Sequence, residues 1–397
     1  MKLVYFLLAA LLGAAPALHA QTEHAVLPAV ADPQSGSPTN LHFAYINPAV
    51  TPKNKLFLFF PGTGGVALNY QLIARHAANL GYHAISLTYP SDVSINQLCV
   101  NVADTTCHSR ARMEVFDGLD RHPGLAVDSF NCIRRRTLKL LQHLNAAFPA
   151  ESWGQFYQGN TILWNRIAVG GHSQGGGHAG FISKLFAVDR VVLFAVADWI
   201  TPLSRAADWV KASGPTASSR YYGFIHQSDE QVNFALEQLT WNKLGMAPWG
   251  AAVLTDAASP PYQNTHKLYT QLTPRTDPTK FHGSVVADAY TPLTGTTPTF
   301  QPVWTYLLEA TPTALAARPA LAPAPQPYPN PAADLLHLPV AEAGATYELR
   351  SPSGQVVQRG ELTETLALSP QLASGLYFLL IYRPDGTLGS TSKLQKR

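Results

Sequence analysis

Residues 170–180 read GGHSQGGGHAG, the densest glycine cluster in the chain. The apolar run RIAV precedes it and FISKLF follows. Ser173 therefore lies between a predicted strand and a predicted helix. Each glycine inside a helix costs about 1 kcal/mol relative to alanine, so Gly175, Gly176 and Gly177 at a helix start need a reason. Gly171-His172-Ser173-Gln174-Gly175 is G-x-S-x-G in the strand–turn–helix setting that an exposed nucleophilic serine requires. The serine at such a turn takes a strained backbone. A Cβ at Gly171 or Gly175 would collide with the neighbouring strand and helix. Gly176 and Gly177 let the first helical turn approach the sheet. The helix N-terminus then aims its free N–H groups at negative charge developing near Ser173 Oγ. The chemistry is attack of a hydroxyl on a carbonyl.

Other glycine chemistry fits less well. A P-loop needs G-x-x-x-x-G-K-[ST], and no lysine stands in this cluster. A second loop, FFPGTGGVALNY, matches G-x-G-x-x-A from Gly62 to Ala67. A dinucleotide site wants an acid at the end of the next strand. Here Asp92 comes too late and beyond a proline. The loop reads instead as the second half of an oxyanion hole, and no cofactor is expected. No H-E-x-x-H, Cys/His array or EF-hand loop occurs, so no metal is expected.

The elements that position these residues alternate. Apolar strand candidates are 55–60, 82–89, 166–170, 190–196, 221–226 and 267–272, with helix-like stretches such as YQLIARHAANLG between most of them. Continuous apolar strands alternating with helices predict an α/β fold, a mostly parallel sheet covered on both faces. The stretches 91–127, 149–164 and 231–266 remain unassigned, as excursions over an active-site edge often are.

Hydrophobic residues make up 46% of the 397 and charged residues 13%, enough for a large core and against global disorder. A net charge of +3 without a dense Lys/Arg stripe argues against nucleic acid. Residues 1–20, MKLVYFLLAALLGAAPALHA, have the layout of a signal peptide cleaved after Ala20. No later stretch is long and apolar enough to span a bilayer. Export permits disulfides. Cys99 and Cys107 can close a small ring and leave Cys132 over; three inert thiols is the other reading. Seven Trp and 16 Tyr can line a sugar-binding cleft or simply fill a core.

Composition shifts near residue 311. TPTALAARPALAPAPQP reads as a semi-extended linker over 311–327. From 328 to 397, short alternating runs such as ATYELRS and GLYFLLIY, separated by PSG, ASG and PDG, predict a small antiparallel β-sandwich.

With these motifs in hand, residues 21–310 resemble a secreted bacterial α/β-hydrolase. The resemblance implies that Ser173 is the nucleophile and that the Gln174 backbone N–H is one oxyanion donor. The second donor falls in PGTGG, with Thr63 first and Gly64 as the alternative. The family order of nucleophile, acid, histidine points to Asp229, in the turn after YYGFIH. Glu230 is adjacent, and Asp198, after VVLFAVA, is the runner-up. The base must follow, leaving His266, His282 and His337. His282, in a Pro- and Gly-punctuated loop after the last strand, is the choice. His266 begins a strand and His337 lies in the C-terminal module. His172 and His178 read as packing residues, and His226 as an orienter of Asp229.

The C-terminal run YPNPAADLLHL, YELRSPSGQVVQRGEL, ALSPQLASGLYFLLI and KLQKR resembles a type IX secretion sorting domain over 328–397. That implies passage through the periplasm to the medium or cell surface by the type IX machinery. A small carbohydrate-binding sandwich is the bland alternative. The expected activity is hydrolysis of carboxylic esters, with a small-molecule or glycan ester as substrate. A serine peptidase on the same fold and a non-catalytic binding protein on a hydrolase scaffold are the alternatives.

Overall fold

The computed structural model describes residues 21–196 and 198–311. Beyond these it describes 327, 329–338, 344–352, 355–382, 384 and 388–397. The signal segment 1–20 and nearly all of the linker 311–327 lie outside the described residues. The chain divides into two compact units, Met1–Leu315 and Ala316–Arg397.

The first unit is built on one nine-stranded sheet. Its strands are β1 (Thr22–Val26), β2 (His42–Ile46), β3 (Leu56–Phe60), β4 (His83–Ser86) and β5 (Ile167–His172), then β6 (Arg190–Phe194), β7 (Tyr221–His226), β8 (Val253–Leu254) and β9 (Lys267–Thr270). Their spatial order is β1-β2-β4-β3-β5-β6-β7-β9-β8. The seven strands from β4 to β8 in that order pair in parallel. At the other edge β1 and β2 pair antiparallel, and β2 meets β4 antiparallel. The sequence reading did not include β1 or β2. β1 is only half-buried, and its TEHAV mix of polar and apolar residues gives no continuous apolar run.

Period-two alternation explains how one apolar strand serves two cores. In β3, Leu56, Leu58 and Phe60 pack into one cluster, and Phe57 and Phe59 into the other. The first cluster is closed by helices α2 (Ile95–Cys99), α3 (Cys107–Asp117), α4 (Ile133–Ala147) and α5 (Gln174–Leu185). The second is closed by α1 (Gln71–Asn79) and α6 (Gln301–Glu309), through Ile73, Ala77, Trp304 and Leu307. The stretch 91–127 therefore carries two of these helices. Cys99 and Cys107 are joined as a disulfide that ties α2 to α3, and Cys132 is free and buried just before α4.

The second unit contains an antiparallel sheet in the order Val356–Glu361, Thr346–Arg350, Gly375–Tyr382, Leu388–Lys396. A two-stranded sheet pairs Leu335–His337 with Thr365–Ala367. Leu336 and Leu366 share one core with Leu349, Leu379 and Leu394, so the two sheets close on each other. Among the described residues no helix is long and apolar enough to cross a membrane.

Candidate active site

Ser173 sits at the tip of the turn between β5 and α5 with φ 53° and ψ −121°. A non-glycine residue at positive φ outside the left-handed helical well is strained and persists only when its surroundings hold it. Here the surroundings are the glycines. A Cβ on Gly171 would strike the backbone of Gly175 and Gly176, and one on Gly175 would strike the carbonyls of Phe60 and Pro61. The turn is pinned further by the Ser173 N–H, which donates to Phe194 O at 2.8 Å.

His282 is not in a loop, as the sequence suggested, but in a one-turn helix, Phe281–Ser284. The turn is held by Glu230, whose Oε2 accepts the His282 backbone N–H at 2.8 Å. The His282 ring is buried, and its Nδ1 lies 2.8 Å from Asp229 Oδ2 and 3.0 Å from Oδ1. The Asp229 side chain is fully buried in this pair. Its Oδ1 also accepts the backbone N–H groups of Gln231 and Val232, each at 2.8 Å. An Asx turn of this kind fixes the carboxylate's orientation before any substrate arrives. His282 Nε2 is buried without a hydrogen-bond partner, so no hydrogen bond to Ser173 is made in this conformation. Catalytic contacts of this type commonly tighten only when substrate binds.

His172 joins Ser173 to the base. Gly62 N–H donates to Tyr70 Oη at 3.3 Å, and Tyr70 Oη lies 3.0 Å from His172 Nδ1. His172 Nε2 lies 3.0 Å from His282 O. With Tyr70 accepting from Gly62, its proton goes to Nδ1, and His172 Nε2–H donates to the His282 carbonyl. Burial first, and the facing His282, hold His172 well below the usual histidine range, so it is neutral. Burial likewise pushes the Tyr70 phenol up to about 12. Their role is structural: the two rings of His172 and His282 lie 4.5 Å apart. Tyr70 carried no signal in the sequence beyond an aromatic at a helix start.

The two oxyanion candidates in PGTGG separate. Gly64, at φ +64°, donates its N–H to Ser91 O at 2.8 Å, so that group is spent. Thr63 N–H has no protein acceptor among the described residues. Gln174 N–H is the first of α5 and has no acceptor within its helix. The Gln174 side chain ties the two loops together. Its Oε1 accepts from Thr63 Oγ1 at 3.1 Å and from Ile95 N–H at 2.8 Å, and its Nε2 donates to Val93 O at 3.1 Å. Ser173 opens on a small cleft of about 80 Å³ with Thr63, Ser94, Gln174 and Val232 on its walls.

Asp198 lines the same cleft as Ser173, and the remaining histidine candidates do not join it. Asp198 is bound by Arg112 and does not touch His282. His266 is stacked between Tyr222 and Trp249, with Nδ1 2.8 Å from Tyr221 O, and burial lowers it to about 4. His337 belongs to the C-terminal unit. His178 is fully buried against Tyr89 with no hydrogen bond. His226 does not bond the Asp229 carboxylate; its Nδ1 accepts Ser228 N–H and its carbonyl accepts Asp229 N–H, so it shapes the turn. His122 Nε2 approaches Cys107 Sγ at 3.4 Å. With both sulfurs joined in the disulfide, neither is the thiolate that a metal would require.

No family model matches this chain, and no curated protein matches it. Among solved structures it is similar to a crystal structure named as a dienelactone hydrolase from Klebsiella pneumoniae subsp. pneumoniae. The match has 12% sequence identity and a TM-score of 0.31, and covers 64% of this chain and 86% of that one.

Proposed function

We propose that this chain is an exported serine hydrolase of the α/β-hydrolase type that cleaves carboxylic esters. The observation that carries the reading is the strained Ser173, next in the chain to His172 whose ring lies 4.5 Å from that of His282, together with the buried Asp229 carboxylate that holds His282 Nδ1. Ser173 Oγ attacks the ester carbonyl carbon while His282 Nε2 takes its proton. The N–H groups of Gln174 and Thr63 hold the oxyanion. The protonated His282 then gives its proton to the departing alcohol, leaving an acyl group on Ser173. Water, deprotonated by the same nitrogen, attacks that acyl group, and the serine regains its proton as the acid leaves. Asp229 keeps Nδ1 protonated and stabilises the imidazolium in both halves.

Residues 1–20 direct export, and 328–397 present the chain to the type IX secretion machinery, so that the enzyme works in the medium or at the cell surface. The sequence resemblances support this part of the reading.

A fluorophosphonate probe tests the chemistry, followed by a panel of ester and peptide substrates. The intact chain is expected to be labelled and to hydrolyse esters. Ser173→Ala should lose labelling and at least about 10³-fold in turnover with an unchanged fold. Full activity in that variant removes Ser173 as nucleophile, and cleavage of peptides alone makes the chain a peptidase.

A further inference from the structure

A second cavity, of about 350 Å³, lies on the other side of the oxyanion loop, within the size range of small-molecule sites. Thr63 and Ser94 line the Ser173 cleft, while their neighbours Gly64 and Val93 line this cavity. The two spaces therefore share a wall, and the Gln174 amide fastens both halves of it. The cavity opens above the end of β4, which is two strands from the Ser173 strand in the sheet. Two strand spacings put it about 10 Å from the nucleophile.

The walls of the cavity are tied together by a buried cation. Arg136 is 2% exposed. It donates to the carbonyls of Gly36, Pro38, Thr88 and Asn131 and to Asn131 Oδ1, at 2.7 to 3.4 Å. It thereby gathers three separate lining segments. All of its donor groups are occupied in this way, so it offers nothing to a ligand anion. The carboxylate on the wall, Asp92, would repel one. Asp92 and Asn40 are exposed, line the space, and make no side-chain hydrogen bond among the described residues. Covering them with hydrocarbon would strand an anion and an amide without partners. A neutral group rich in hydroxyls satisfies both, since Asp92 accepts charge-assisted bonds and Asn40 both donates and accepts.

We propose that this cavity is a subsite for a neutral carbohydrate portion of the ester substrate, one sugar or more away from the bond cleaved at Ser173. The proposal rests on the ester-hydrolase reading above and names its substrate as a glycan ester with a small acyl group.

The test uses the full chain. Asp92→Leu and Asn40→Leu are assayed on p-nitrophenyl acetate, which reads the chemistry alone, and on acetylated xylotetraose. Each variant should stay within twofold of the parent on the first substrate. On the second it should lose at least tenfold in kcat/KM, through KM. Independently of turnover, Ser173→Ala protein is titrated calorimetrically with xylotetraose, cellotetraose and mannotetraose. Binding of at least one, lost when Asp92→Leu is added, supports the subsite. Binding of none, or equal binding with Asp92→Leu, overturns it. A parent chain that turns over neither ester overturns the hydrolase reading, while the titration still judges the subsite.

Discussion

Arg112 grips Asp198 with two donors, Nε on Oδ2 at 2.6 Å and Nη2 on Oδ1 at 2.7 Å. Trp209 Nε1 adds a third bond to Oδ2 at 2.7 Å. The same guanidinium donates from Nη1 to Gln174 O at 2.9 Å, and it fills the space where a Cβ on Gly177 would go. The pair thus supports the elbow helix from beneath. Burial pushes the Asp198 carboxyl up, but the adjoining Arg112 charge outweighs it and holds the group well below the usual range.

The two acids near the site separate by experiment on this basis. Asp229→Asn should lower kcat on an ester by about 10⁴-fold while leaving the fold intact, as expected when the acid partner of a catalytic histidine is neutralised. Asp198→Asn leaves Arg112 buried without its counter-charge, so it should cost about 3–5 kcal/mol of stability. A depressed carboxyl contributes stability above its unfolded pKa of about 4 and loses it as pH falls. The Asp198→Asn penalty should therefore be full at pH 7 and shrink below pH 4. Turnover and urea melts of both variants check this. Loss of kcat in a stable Asp198→Asn protein would move the acid to β6.

Tyr70 is the hinge of a chain of hydrogen bonds from the oxyanion loop to the base. Tyr70→Phe leaves Gly62 N–H and the buried His172 Nδ1 without their partner. Each unpaired group costs about 1–3 kcal/mol. The released His172 no longer fixes the carbonyl of His282. The expected outcome is a lower melting temperature and about tenfold lower kcat, with KM unchanged. Unaltered kcat in a destabilised protein would reduce Tyr70 to a packing residue.

The continuous apolar strand at 55–60 and the glycine geometry around Ser173 were legible because each leaves a local mark in the sequence. Asp229 and His282 could be placed by chain order. What sequence could not supply was the partner that engages Asp198 away from His282. That partner is Arg112, on α3, a helix whose buried residues mix His108, Arg112, Glu114 and Asp117 with the apolar Cys107, Ala111, Val115 and Phe116. Periodicity does not detect such a helix, because its burial is offset by polar partners that come from distant segments. The choice between Thr63 and Gly64 likewise waited on Ser91, whose carbonyl takes one of the two N–H groups.

Glu237 is fully buried on the helix Phe234–Trp241, and neither carboxyl oxygen has a hydrogen-bond partner. The Trp241 indole and the backbone at Val196 face it without hydrogen-bond geometry. Burial first, and then the charge of Asp229, push its pKa well above the carboxylate range. A carboxyl raised in the folded state binds protons that the unfolded chain releases. The fold therefore loses stability as pH rises through the interval between the two pKa values, at about 1.4 kcal/mol per pH unit. Glu237→Gln removes that loss. Urea melts at pH 5 and pH 8 should find the variant more stable than the parent at pH 8, with a much smaller gap at pH 5. A gap that does not change with pH would mean that Glu237 is ionised in both states.

The last prediction concerns the two units. Each has a core of its own, with Leu56, Val169 and Trp304 in those of the first and Leu349, Leu379 and Leu394 in that of the second. The first unit should therefore fold without the second. The cut has a natural limit at Ala310, whose carbonyl accepts from Arg190 Nη2 at 2.6 Å and from Tyr222 Oη at 3.1 Å. A chain of Gln21 to Ala310 keeps those bonds and should retain the specific activity of the parent, whereas one ending before Ala310 should be less stable. In the native host, a chain with its signal segment but without 311–397 should accumulate in the periplasm. Its appearance in the medium or at the surface would remove the sorting role from 328–397. Normal export combined with lost binding to a polysaccharide would make that unit a carbohydrate-binding module instead.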